Sequence, residues 1–429
     1  MTLEHHDLIK LTFQIATILI AAKLSGEFVA KYLKTPPVLG ELLVGILIGP
    51  SILGGLSIDF NPANFTLGFT SGSGLFSVSP DSHSKIPVSA TLWAIAQIGS
   101  IVLLFSAGLE TNLKQFLKYF KPAIGVAIGG IVLPFSFGCI LPVLFGFSNG
   151  IFDSPSLFMG SLLTATSIGI SVRILEDLNE LSSPEGVTIL GAAVIDDVLG
   201  IIILTIVLGI HSAGNINVST ISLITAKTLG FWLVLTGLGI LLSNYISKIF
   251  LGFKTPGSAI TLALALAFIA AGLAETVGLA MIIGAFSIGL ALSNTKLAQF
   301  IHKPLMSIYA IFVPIFFVVM GMMVNLQDMG GIWIFGLTIS IAAILSKLIG
   351  SSLPALLFKF KLIESLRIGI GMVPRGEIAI LIASIGITQG LIDSKLYGAA
   401  IMLTMITTLI APPLLSLSFK NKSNQDSPN

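Results

Sequence analysis

Apolar residues run through this chain in long blocks rather than in alternation, and each block is bounded by charge, Pro, Gly or Asn. A helix rises about 1.5 Å per residue and a bilayer's hydrocarbon core is about 30 Å thick, so roughly twenty residues suffice to cross it. Counted this way, the pattern predicts thirteen spans, over residues 8–32, 37–56, 91–109, 121–146, 155–175, 187–211, 219–245, 256–274, 276–293, 304–326, 331–357, 366–390 and 394–418. The gap near Glu275 is short enough for spans eight and nine to be read as one helix. Residues 57–90, rich in Ser, Gly and Asn, read as the one long loop.

The basic residues give an independent check on that count. Odd-numbered gaps and the tail carry Lys31, Lys34, Lys114, Lys118, Lys121, Arg173, Lys248, Lys254, Lys296, Lys303, Lys359, Lys361, Arg367, Lys420 and Lys422, against Lys85 and Lys395 in even-numbered gaps. Fifteen against two is a positive-inside bias. It predicts an odd number of spans, an outside amino end, a cytoplasmic carboxyl tail and an outside position for the long loop.

Composition agrees: 54% of the 429 residues are apolar and 10% charged, where a soluble domain carries roughly 25% charged residues. The deficit extends over the whole chain, so lipid is its main solvent. A net charge of +2 with basic residues in short clusters argues against a nucleic-acid partner. The lone Cys139 excludes an internal disulfide and a thiolate metal site. The polar amino end, Met1 to Asp7, leads into an apolar run long enough to span, which is not a cleavable signal pattern.

Two stretches of the second half resemble the first. Gly40-Glu-Leu-Leu-Val-Gly45-Ile in span two matches Gly284-Ala-Phe-Ser-Ile-Gly289-Leu in span nine, and Gly108-x-x-x-Asn112-Leu113 matches Gly321-x-x-x-Asn325-Leu326. Seven helices separate each pair, an odd number, so the copies have opposite orientation, the inverted architecture of secondary transporters. Small glycine patterns also recur in apolar helices simply because they aid close packing. On the repeat reading, residues 1–218 are the first repeat (spans one to six), 219–255 the linking helix, 256–418 the second repeat (spans eight to thirteen) and 419–429 a short cytoplasmic tail.

Few charges lie far from an interface. Asp196 and Asp197 sit about ten residues into span six, roughly 15 Å along the helix and so at the midplane. An ionised carboxylate there costs at least about 2.5 kcal/mol, so two adjacent ones need a cation, a shared proton or water. Successive helix positions point about 100° apart, so one acid can be structural while the other meets an ion. Lys347, about sixteen residues into span eleven, is too deep to snorkel comfortably, which makes an internal carboxylate its expected partner. Structural pairing and participation in a transport cycle both remain open for it. Span twelve holds Gly369-Ile-Gly371-Met-Val-Pro374-Arg375-Gly376-Glu377, where Pro374 removes a backbone donor and interrupts the helix. Its repeat mate, span five, carries Thr164-Ala-Thr166-Ser167-Ile-Gly169. The pair predicts two crossed, discontinuous helices, whose hydroxyls and unwound carbonyls suit a small alkali cation, although such hydroxyls also bond to their own preceding turn. Arg375 and Glu377 neutralise one another or the opposed helix ends on this reading, with direct contact of either to the ion as the further alternative.

Lys23 and Glu27, four apart on span one, read as an ion pair. His5, His6, His211 and His302 lie near interfaces and His83 in the long loop, so no histidine is placed as a midplane proton relay. With no phosphate-cradling loop, catalytic triad or metal cluster, the sequence offers no enzyme chemistry and calls for no cofactor. The fold class is thus an all-α polytopic membrane protein of about thirteen helices, with inverted repeats and two crossed broken helices.

These motifs resemble the monovalent cation:proton antiporter-2 family, and within it the bacterial, including cyanobacterial, sodium/proton antiporters with an Asp-Asp pair. The likeness rests on Pro37-Val-Leu-Gly-Glu-Leu-Leu-Val-Gly-Ile-Leu-Ile-Gly-Pro50, Leu104-Phe-Ser-Ala-Gly-Leu-Glu110, Thr164-Ala-Thr-Ser167, Ile195-Asp-Asp-Val198, Gly284-Ala-Phe-Ser-Ile-Gly289, Lys347 and Pro374-Arg-Gly-Glu377. It implies the sodium/proton antiporter fold, a homodimer, a scaffold domain beside a mobile core, and elevator-like alternating access. By motif, Asp197 is similar to the family's carrier of cation and proton, Asp196 to the acid that pairs with the lysine, Lys347 to that lysine, and Thr166 and Ser167 to the break lining the site. The short polar tail, Lys420 to Asn429, departs from potassium-efflux members that add a nucleotide-binding domain. The expectation is exchange of Na+ for H+ competing at Asp197, in a bacterial plasma membrane or a thylakoid membrane. The alternatives are a K+/H+ antiporter, a sodium-coupled solute symporter on a similar fold, or a cation channel.

Overall fold

The computed structural model describes residues 5–49, 52, 56–61, 64–69, 88–213 and 218–423. Residues 70–87 of the long loop, with His83 and Lys85, lie outside them, as do residues 1–4, 214–217 at the end of the first repeat, and 424–429 of the tail. Fifteen α-helices follow in chain order: α1 (His5–Phe28), α2 (Val38–Ile48), α3 (Ala90–Glu110), α4 (Leu113–Leu144), α5 (Ser154–Thr164), α6 (Ile168–Asp177), α7 (Pro184–Ala213), α8 (Val218–Gly252), α9 (Ser258–Thr276), α10 (Met281–Leu292), α11 (Lys296–Met322), α12 (Trp333–Leu357), α13 (Leu362–Gly371), α14 (Glu377–Thr388) and α15 (Ser394–Ser423). Among the described residues, ten helical runs are long and apolar enough to cross a membrane, counting α5 and α6 as one, and α2, α10 and α14 are shorter apolar helices. Large apolar side chains such as Leu241, Ile334 and Leu357 stand exposed on the outer helices, a surface that water would not tolerate on this scale.

The segment read as one loop contains a hairpin, β1 (Leu56–Asn61) and β2 (Asn64–Phe69), paired antiparallel with Leu56 opposite Phe69 and Ile58 opposite Leu67. The alternation Leu-Ser-Ile-Asp-Phe has period two, a strand signal masked by the surrounding Ser, Gly and Asn. Lys23 and Glu27 are both exposed and form no ion pair with each other.

The helices pack as two groups. One joins α4, α5, α7, α12, α13, α14 and α15; the other joins α1, α2, α3, α9, α10 and α11, with α8 alongside α10. In the second group the glycines that recur in sequence also recur in contact. A Cβ on Gly45 would strike the Val318 carbonyl and the Gly321 backbone, and one on Gly289 would strike the Phe105 carbonyl and the Gly108 backbone. Gly40 approaches the Ser25 carbonyl as Gly284 approaches that of Ala270. Helices in lipid gain little from apolar transfer, so close backbone approach through small residues is what joins them.

Each predicted break is present. Helix α5 ends at Thr164 and α6 starts at Ile168, while α13 ends at Gly371 and α14 starts at Glu377. The two gaps meet: the Ser167 N–H donates to the Pro374 carbonyl at 2.8 Å, and the Ser171 hydroxyl to that of Gly371 at 2.6 Å. The chain therefore crosses itself where the backbone is unwound, deep within the first group.

Overpacking a close contact costs about 1–3 kcal/mol. Gly45→Ala and Gly289→Ala are each expected to lower the melting temperature of the detergent-solubilised protein. Gly237→Ala, where nothing lies within 4 Å of the added carbon, should not. Equal melting of all three variants would show that these glycine contacts are not tight.

Candidate functional site

Asp196 and Asp197 are adjacent on α7, and the helical twist sends them to different surroundings. Asp196 faces α12: the Lys347 ammonium donates to both its carboxylate oxygens at 3.1 Å. Lys347 is wholly buried and donates a further bond of 2.8 Å to the Thr164 carbonyl. Without those acceptors a lysine at this depth would be an unpaired charge in hydrocarbon. The Thr166 hydroxyl lies within reach of Asp196 as well and donates to the Met372 carbonyl at 3.4 Å.

Asp197 has no such partner. It is buried, and its Oδ2 makes no hydrogen bond. It lies on the wall of a cavity of about 340 Å³, together with Asp196, Thr164, Ala165 and Glu377. The cavity extends past Gly200 and Leu204 of α7 to Trp93 and Gln97 in the first turns of α3 and to the Glu275–Ile282 junction of α9 and α10. Glu275 is exposed at this end.

Arg375 and Glu377 do not pair with each other. Arg375, wholly buried, gives one Nη to the Val373 carbonyl at 2.6 Å and the other to the Leu163 carbonyl at 2.5 Å, while its own carbonyl accepts from the Thr408 hydroxyl. Leu163 and Thr164 are the last residues of α5, so Lys347 and Arg375 both lie on carbonyls left open at a helix carboxyl end, where positive charge is favoured. Glu377 occupies the first turn of α14, the end that favours negative charge. Of the two alternatives for these charges, the opposed helix ends are the observed one.

The crossing thus brings together Asp196, Asp197, Lys347, Thr166, Ser167, Arg375 and Glu377, but not all on the cavity wall. Thr166 and Ser167 are not on it, and this break contributes to the wall through the residues just before them, Thr164 and Ala165. The Ser167 side chain packs against Gly376 instead. Three carboxylates share this region with two cations, leaving one formal negative charge without a partner when all are ionised.

A second buried charged cluster escaped the sequence reading, which took Arg173 only as a gap residue. At the far end of α6 from the crossing, Arg173 donates to the Tyr309 hydroxyl at 2.7 Å and lies 3.9 Å from Glu41 and 3.4 Å from Asp177. Tyr309 donates to Glu176. These contacts tie α6, which also packs on α7, to α2 and α11 of the second helix group. The signal available in sequence was Glu41 within an apolar run of span two.

Comparison with known proteins gives a consistent picture. The family described as sodium/hydrogen exchanger, transmembrane, matches residues 15–420. The chain is similar to the high-affinity Na(+)/H(+) antiporter NhaS3 of Synechocystis, at 34% identity over 428 residues, 96% of this chain and 91% of that protein. It is 35% identical over 412 residues to the Na(+)/H(+)-K(+) antiporter GerN of Bacillus cereus, covering 96% of each. Its fold matches that of the sodium proton antiporter MjNhaP1 from Methanocaldococcus jannaschii, with a TM-score of 0.72 at 17% identity over 98% of this chain and 100% of that one.

Breaking a buried ion pair by removing one partner costs about 3–5 kcal/mol, whereas neutralising both is far less damaging. Lys347→Met is expected to lower the melting temperature of the purified protein, and Asp196→Asn added to it should recover most of the loss. A single variant that melts like the wild type would show that Lys347 does not stabilise Asp196.

Proposed function

The chain belongs to the sodium/hydrogen exchanger family, and on that premise we propose that it exchanges Na+ for H+ across a bacterial membrane by alternating access, both ions competing for Asp197. The observation that carries this reading is the unpartnered Asp197 oxygen on the cavity wall beside an Asp196 already neutralised by Lys347. An empty site carries one surplus negative charge, and moving it through a low-dielectric interior is costly. One monovalent cation or one proton on Asp197 removes the surplus, so either passenger permits the crossing and the two exclude each other. Loss of the Lys347 proton when Asp196 changes partner offers a route to more than one proton per cation. Lys347, Thr166, Ser167 and Arg375 hold the broken helices and Asp196 in place, while Asp197 meets the ion.

The repeat division, residues 1–218 and 256–418 about a linking helix, belongs to the same proposal. Its support is the doubled contact set, Gly45 on Gly321 and Gly289 on Gly108, and the fact that each helix group draws helices from both halves. The charge bias along the chain supports an outside amino end and a cytoplasmic carboxyl end. With that orientation the cavity, which reaches the start of α3 and the α9–α10 junction, points outward, and the Arg173 cluster closes the cytoplasmic side. The homodimer implied by the family likeness is part of this reading, and the chemistry requires no enzyme step and no cofactor.

A K+/H+ exchanger shares the same site, and GerN, whose name includes K+, is 35% identical to this chain. The deciding experiment uses liposomes with an imposed pH gradient, internal pH being followed as Na+, K+ or Li+ is added. Na+ should trigger proton movement, and Asp197→Asn should abolish it. Robust exchange by Asp197→Asn would sink the assignment. A response to K+ but not Na+ would replace the cargo, and no proton movement with any cation would point to the symporter or channel.

A further inference from the structure

At the crossing both cations are already engaged. Lys347 donates to Asp196 and the Thr164 carbonyl, and Arg375 to the carbonyls of Val373 and Leu163. Among the described residues, neither forms an ion pair with Glu377. Glu377 is nevertheless only 6% exposed, lines the same cavity as Asp197, and leaves its Oε2 with no hydrogen-bond partner. Asp197, 7% exposed, leaves Oδ2 in the same condition. A position in the first turn of α14 accounts for the sign of the charge at Glu377. It does not account for a buried oxygen left unpaired, which costs free energy unless something occupies it in the working cycle.

Two incompletely satisfied carboxylates, brought by α7 and α14 to one cavity of about 340 Å³, are the donor set of a hard cation. We infer that Glu377 is a second carboxylate ligand of the transported cation, which lies between Asp197 and Glu377. The inference rests on the proposal that Asp197 carries the ion, and goes beyond it by giving Glu377 control over affinity and ion choice. Coulomb attraction grows as the ion approaches more closely, so a second anionic oxygen favours the smaller Na+ and Li+ over K+. Glu377 also lies across the helix break from Ser167, whose hydroxyl is close to it, so its carboxylate is carried by the same crossing that positions Asp196.

The test is ion-triggered proton movement in proteoliposomes with Na+, Li+ and K+ each titrated. Glu377→Gln should raise the KM for Na+ by about tenfold or more and narrow the preference for Na+ over K+, with a smaller effect on the maximal rate. Glu377→Asp, which keeps the charge on a shorter stem, should recover part of the affinity yet still shift the ion preference. A Glu377→Gln protein that melts like the wild type and keeps its KM and ion preference overturns the inference and leaves Glu377 as a cap on α14. Should Glu377→Gln fail to fold, Glu377→Asp decides alone: unchanged KM and ion preference overturn the inference, and a shift in either supports it. Asp197→Asn measured alongside separates the two levels. If it is inactive while Glu377→Gln is unaltered, only the inference fails; if it transports, the reading beneath it fails.

Discussion

The crossing of two broken helices is the constraint on which this molecule depends. Unwinding a chain inside a bilayer frees backbone groups that no water can satisfy, and each must find a partner within the protein. Part of the answer is mutual, since Ser167 N–H meets the Pro374 carbonyl. The rest is supplied by charge: Lys347 and Arg375 occupy the carboxyl end of α5, and Glu377 stands at the amino end of α14. Charges that would be intolerable on a continuous apolar helix are thereby made useful. Because the two cations serve the helix ends and Asp196, Asp197 has no resident counter-charge, which is the feature the proposed exchange uses.

A panel of glycine-joined helices lies beside the group that carries this charged crossing. Within the panel, α2 lies on α11 and α10 on α3 through glycines whose backbones almost touch. Such contacts cannot slide without large overlap, since interiors this dense resist deformation. Between the two groups the character changes. Long side chains span the boundary there, with Arg173 of α6 reaching Glu41 of α2 and Tyr309 of α11.

Much of the crossing was legible in the sequence because depth alone made its residues conspicuous. An Asp-Asp pair, a lysine and a Pro-Arg-Gly-Glu run, each far from a charged boundary, have few bland explanations in a hydrocarbon medium. Local pattern also exposed the break in span twelve through Pro374. The roles within the site were harder to read, because spacing along α7 says that Asp196 and Asp197 diverge but not which one turns toward Lys347. Thr166 and Ser167 stood out as hydroxyls, yet the wall is reached first by Thr164 and Ala165, a choice made by how the two breaks seat against each other. The Arg173 cluster was hidden for a different reason. Its members come from α2, α6 and α11, and Arg173 satisfied the positive-inside pattern well enough to need no second explanation. The strand alternation at Leu56–Asn61 was similarly outweighed by the composition around it.

Adjacent positions on one helix do different work here, and the geometry explains why they are not interchangeable. A turn of about 100° per residue points Asp196 at a fixed ammonium and Asp197 at an open cavity. The first acid has a resident partner, the Lys347 ammonium, which donates to both its oxygens. The second is satisfied only by what enters from solution, and burial makes each visitor's charge count. The proposed exchange uses that asymmetry: two equally paired acids would leave no carboxylate for an ion. On the proposed exchange, Lys347 removes one of two neighbouring carboxylates from competition and leaves the other available to an ion.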